Sequence, residues 1–128
     1  MRILLDTCTF LWFATGAVEL SDVANEAFEN PENDVYLSAV SMWEIAVKHA
    51  LGRLPLPAAP DTYVPRLRRQ HGIEPLPLDE EAALHLVRLP PLHRDPFDRM
   101  LICQAIVGGM VVLTPDAAVT QYPVRCLW

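Results

Sequence analysis

No apolar stretch in this chain approaches the length needed to span a membrane, and the opening Met1–Leu5 run is cut short by Asp6. That run is therefore not read as a signal peptide. Cysteine is scarce: Cys8, Cys103 and Cys126 are odd in number, widely scattered and without CxxC spacing. A zinc site and a disulfide framework are both disfavoured, and a reducing cytoplasm is the expected compartment. The four histidines, His49, His71, His85 and His93, show no HxxxH spacing and read as surface or supporting groups. A glycine-rich phosphate loop and a GxSxG elbow are also missing, which excludes the usual nucleotide-binding and serine-hydrolase signatures. There is no internal repeat.

What remains is 128 residues, 52% of them hydrophobic, enough for a single domain over residues 1–128 with its own core. The net charge of −6 argues against nucleic acid at first sight. However, four of the acids are candidate ligands whose charge a bound cation would offset. Of ten basic residues only Lys48 is a lysine. Arg66, Arg68 and Arg69 fit a solvated helix face, whereas Arg94 and Arg99 flank Asp95 and Asp98 and suit phosphate contact.

Strand-like and helix-like segments alternate. Arg2–Asp6 reads as a buried strand leading into a helix that ends at Gly16. Ser21 caps a second helix to about Asn30, and Val35–Ser38 is the next strand. Ser41 opens a helix ending at Leu51, with Gly52 following it. Pro55, Pro57 and Pro60 mark a surface connection. Asp61 is the expected cap of a helix from Thr62 to His71, and Ile73–Leu78 a weak strand broken by prolines. Asp79 caps a helix through Val87, Pro96–Val107 is a further helix, Val111–Thr114 the clearest late strand and Val124–Leu127 an edge strand. Such alternation predicts a parallel sheet between helices, with ligands outside the carboxyl ends of the strands.

Asp6, Glu44, Asp98 and Asp116 all fall on that rim or on helices that begin there. For Asp6, capping and ligation are equally open. Glu44 fits a capping box with Ser41, yet it shares a face with Val40, Val47 and Leu51, where a wet cap is out of place. It could also pair with Lys48, four residues on. Asp95 before Pro96 is a natural N-cap and at most a helper. Asp98 lines up with Leu101, Ile102 and Ala105, a poor place for surface decoration. Asp116 follows Thr114-Pro115 and could be a first-turn acid favoured by the helix dipole. Independent caps need not converge, so their shared placement is the functional signal. Trp12, Trp43 and Trp128 read as core or interface groups.

Four motifs in order, Leu4-Leu5-Asp6-Thr7, Ser41-Met42-Trp43-Glu44-Ile45-Ala46, His93-Arg94-Asp95-Pro96-Phe97-Asp98-Arg99 and Leu113-Thr114-Pro115-Asp116, resemble the PIN domain family, most closely its VapC-like ribonuclease toxins. The resemblance covers essentially the whole chain. It implies a three-layer α/β/α fold and an Mg²⁺- or Mn²⁺-dependent endoribonuclease that is held in check by a small antitoxin and commonly dimerises. By motif position it carries the acidic quartet to Asp6, Glu44, Asp98 and Asp116, with Thr114 as a polar neighbour; Thr7 beside Asp6 and Asp95 before Asp98 are read as supporting groups from their own positions. Many relatives have histidine where this chain has Cys8.

The expected reaction is hydrolysis of an RNA phosphodiester, with one or two ions on the quartet and Arg94 or Arg99 on phosphate oxygens. A receiver-type phosphotransfer domain wants a lysine after a late strand, and a haloacid-type phosphatase wants Asp-x-Asp where this chain has Asp6-Thr7-Cys8. Both fit poorly. A binding module with the same fold and no useful turnover is the non-enzymatic rival.

Overall fold

The computed structural model describes residues 1–128. In chain order its elements are β1 (Arg2–Leu5), α1 (Thr7–Thr15), α2 (Asp22–Glu29), β2 (Asp34–Ser38), α3 (Ala39–Ala50), α4 (Pro60–Gln70), β3 (Glu74–Leu76), α5 (Glu80–Leu84), a 3₁₀ turn (His85–Arg88), α6 (Pro96–Gly108), β4 (Val111–Leu113), α7 (Ala117–Thr120) and β5 (Cys126–Leu127). The five strands form one sheet in the order β3-β2-β1-β4-β5, with every neighbouring pair parallel. No helix is long and apolar enough to cross a membrane.

Strand alternation divides the core in two. Ile3, Leu5, Val35, Leu37 and Leu113 join Phe10, Ala24, Ala27, Val64 and Leu67 of α1, α2 and α4. Leu4 and Val112 face the other way, against Leu101, Ile102 and Ala105 of α6 and Val119 of α7. Helix α3 reaches both sides, since Ile45 belongs to the first cluster and Val40 to the second. The result is the three-layer arrangement expected, with a central strand whose residues Ile3, Leu4 and Leu5 are fully buried. Chain order runs outward from β1 in both directions, so the sheet's switch point lies between β1 and β4, at their carboxyl ends.

Several boundaries differ from the sequence expectation. Helix α3 begins two residues before Ser41 and is capped by Ser38, whose Oγ accepts from the Val40 N–H at 3.0 Å. Helix α4 starts at Pro60 after Ala59, with Asp61 inside its first turn rather than capping it; proline needs no N–H partner there. Helix α5 stops at Leu84 and tightens into the 3₁₀ turn, which lets Leu86 and Leu89 reach the core while Leu84 and Val87 stay exposed. Strand β3 shrinks to three residues and tolerates Pro75 because it lies at the sheet edge. Gly109 ends α6 with φ +62°, a left-handed cap that suits glycine and turns the chain back into β4.

Ser38 also donates to Gln104 Oε1 at 2.5 Å across the fully buried interval between β2 and α6. Ser38→Ala therefore removes a cap and orphans a buried acceptor, an expected loss of about 2 kcal/mol. Urea unfolding checks this: the midpoint should fall while the slope stays constant.

Candidate metal centre

Asp6 follows β1 and caps α1, one of the two roles open to it, from a position that also lines the cleft. Its Oδ1 accepts the Thr7 N–H at 2.8 Å, and its Oδ2 accepts the Thr114 hydroxyl at 2.7 Å. The residue is 4% exposed. Burial raises its pKa above the ordinary carboxylate value; the bonds from Thr114, Thr7 and Cys8 lower it, and Glu44 adds repulsion.

Glu44 approaches from α3, equally buried. Its Oε1 accepts a hydrogen bond from the Thr7 hydroxyl at 2.7 Å, and Thr7 is also hydrogen-bonded to Ser41 Oγ at 2.9 Å. Ser41 thus sits inside the helix and faces Thr7; the capping-box pairing with Glu44 does not form. Glu44 Oε2 is ion-paired with Lys48 one turn on. Burial lowers the pKa of that ammonium, but the hydrogen bond and charge of Glu44, with Asp95 and Asp98, outweigh it, and the net shift is upward.

Asp95 caps α6, its Oδ1 accepting from Phe97 N at 2.8 Å and Asp98 N at 3.2 Å. Asp98 is held on its Oδ2 by His93 Nε2 at 2.9 Å. Burial pushes its carboxyl up to about 6; His93 opposes this, and the charges of Asp6, Asp95 and Glu44 reinforce it. The ligating atoms of His93, Asp95 and Asp98 lie within 4.8 Å of one another. Asp116 is not a first-turn acid but the cap of α7, accepting from Ala118 N at 2.9 Å while its own N–H reaches Thr114 Oγ1 at 3.1 Å.

Asp6, Glu44, Asp95, Asp98 and Asp116 line one cleft of about 230 Å³, together with Thr7, Cys8 and Lys48. Thr114 lies behind it, fully buried. The two arginines expected to face substrate are elsewhere. Arg94 is exposed and outside the lining, and Arg99 turns its guanidinium toward the Leu89 carbonyl at 3.5 Å. Trp43 is exposed and packs edge-on against Phe97, with centroids 4.8 Å apart.

Sequence reasoning undervalued three groups. Lys48 was legible only as a helical partner of Glu44. Cys8 faces the cleft because α1 begins there, and its Sγ lies 3.6 Å from Asp6 Oδ2. His93 joins Asp98 through a loop, a spacing that no ligand motif describes.

The donor set fits a hard divalent cation. Five carboxylates face one ammonium in a partly desolvated cleft, and burial with mutual repulsion raises two of them, so added positive charge is favoured. Burial, followed by the Asp6 charge, pushes the Cys8 thiol up to about 12. With one thiol among five carboxylates, the donors are overwhelmingly oxygen, the type a hard cation prefers.

Fold and cleft together define an α/β domain with an oxygen-rich acidic cleft at the switch point of a parallel sheet. The chain belongs to the PIN domain family, whose profile matches residues 3–124. It is similar to "Ribonuclease VapC16" of Mycobacterium tuberculosis, at 38% identity over 68 residues; that stretch spans 51% of this chain and about half, 48%, of the relative's length. Among solved structures it resembles a chain of VapBC2 from Rickettsia felis bound to a promoter DNA fragment, with TM-score 0.73, 12% identity and coverage of 98% and 97% of the two chains. A chain of VapBC-1 from nontypeable Haemophilus influenzae gives TM-score 0.67 and 16% identity, covering 98% and 96%. At such identities these structures speak for the fold.

Proposed function

We propose that this chain is a Mg²⁺- or Mn²⁺-dependent endoribonuclease, the toxin of a toxin–antitoxin pair that works in the cytoplasm as a homodimer. The carrying observation is the meeting of Asp6, Glu44, Asp98 and Asp116 in a cleft with a single ammonium. Support for RNA as substrate comes from the relative named a ribonuclease, and support for a small antitoxin partner from VapBC complexes of like fold.

Asp6, Glu44, Asp98 and Asp116 would hold the ion or ions, which when bound activate water and neutralise charge on the leaving oxygen. The protein's own contribution is positioning. Thr7 donates to one carboxylate oxygen of Glu44 and Thr114 to one of Asp6, which fixes the orientation of both groups in the cleft. His93 fixes Asp98 in the same way. No side chain is required as a covalent nucleophile.

The test is cleavage of single-stranded RNA with Mg²⁺, with Mn²⁺ and with chelator; cleavage that persists in chelator rejects the proposal. Thr114→Val keeps the shape but frees Asp6 Oδ2, and an approximately tenfold lower kcat with little change in KM is expected, measured by steady-state kinetics.

A further inference from the structure

Lys48 is the only basic side chain that lines the acidic cleft. Its side chain is 43% exposed, whereas that of its partner Glu44 is 6% exposed. The ammonium therefore sits at the mouth and the carboxylate at the floor. Glu44 has divided its oxygens: Oε1 is committed to Thr7, and Oε2 is occupied by Lys48. A divalent cation drawing on Glu44 must compete for Oε2. Displacing Lys48 gives up an attraction that its half-exposed ammonium shares with solvent, and gains a doubly charged ion among five carboxylates. The released ammonium then has one class of partner that brings new negative charge into the cleft, a phosphate of the strand being cut.

We propose that Lys48 is a charge-exchange residue: it neutralises Glu44 until a divalent cation takes that oxygen, and it then turns to a phosphate of the bound RNA. Neither Arg94 nor Arg99 lines the cleft to do this work. The phosphate half of the inference rests on the ribonuclease reading; the competition with the cation does not.

Two substitutions test it at low ionic strength. Lys48→Met removes the charge and keeps the stem, whereas Lys48→Arg keeps the charge. Isothermal calorimetry with Mn²⁺ alone should show Lys48→Met binding the ion about three- to tenfold more tightly than wild type, with Lys48→Arg close to wild type. Fluorescence anisotropy with a non-cleavable 2′-O-methyl single-stranded RNA in Mn²⁺ should show the reverse order. Lys48→Met should bind RNA several-fold more weakly, and its log affinity should fall with log salt at a slope smaller by about one. Tighter ion binding with weaker RNA binding supports the proposal. Unchanged or weaker Mn²⁺ binding in Lys48→Met overturns it, as does unchanged RNA affinity. Failure of wild type itself to cleave RNA removes the nuclease reading instead, and that result is separate from the Mn²⁺ comparison.

Discussion

Asp6→Asn should stop RNA cleavage while making the ion-free protein more stable. Asparagine keeps the volume and can still accept the Thr7 N–H through its amide oxygen, so the α1 cap survives. What disappears is a buried negative charge that repels Glu44 and is raised chiefly by desolvation. The ion-free protein gains by losing that charge, and its Tm should rise by a few degrees. Catalysis suffers because an amide oxygen is a much poorer ligand for a hard cation than a carboxylate. A loss of roughly 10³-fold in kcat is expected, the scale of the several kcal/mol that a cation contributes. Asp98→Asn should behave alike. A variant that loses activity and stability together would instead point to a structural role for Asp6.

The second large effect is an inverted pH dependence of stability that divalent ions cancel. The Asp98 carboxyl titrates at about 6 when folded, against 3.8 for an unperturbed aspartate, and Asp6 is shifted in the same direction. Between those values the folded chain holds a proton that the unfolded chain has released. Stability therefore falls as pH rises from about 4 to 6 and levels off above, opposite to the usual carboxylate in an ion pair. Two units would amount to about 3 kcal/mol in a closed interior; the open cleft reduces the Asp98 contribution to about 1 kcal/mol. Mn²⁺ in hundredfold excess over its dissociation constant adds about 2.7 kcal/mol, and more of it at pH 7.5 than at pH 5, where protons compete for the ligands. Thermal unfolding at both pH values, with and without Mn²⁺, measures all four corners. Ion-free stability that climbs from pH 4 to 6 would contradict this account.

The parallel sheet was legible because its central strands are short apolar runs, Ile3-Leu4-Leu5 and Val111-Val112-Leu113, each ended by a polar residue, Asp6 and Thr114. The caps at Ser21, Asp79 and Asp95 read correctly because each side chain bonds its own helix locally. The start of α3 did not, since Ser38 and Ser41 are both plausible caps. Only the packing of Ser41 against Thr7 of α1 distinguishes them. The four acids were legible through their places on the rim. Thr7, Thr114 and the Glu44–Lys48 pair were legible beside them, but which basic side chain enters the cleft was not. Arg99 follows Asp98 in sequence but points another way on the helix, whereas Lys48 enters the cleft from a segment fifty residues away. Side-chain direction on a helix decides both cases, and proximity in sequence decides neither.

Crystals soaked in Mn²⁺ and measured for anomalous scattering put the quartet to the most direct test. A peak is expected in the cleft, bonded to carboxylate oxygens of Asp6 and Asp98, with Glu44 or Asp116 completing the set directly or through water. A peak held by His93, Asp95 and Asp98 without Asp6, or no peak in the cleft at saturating Mn²⁺, would contradict it.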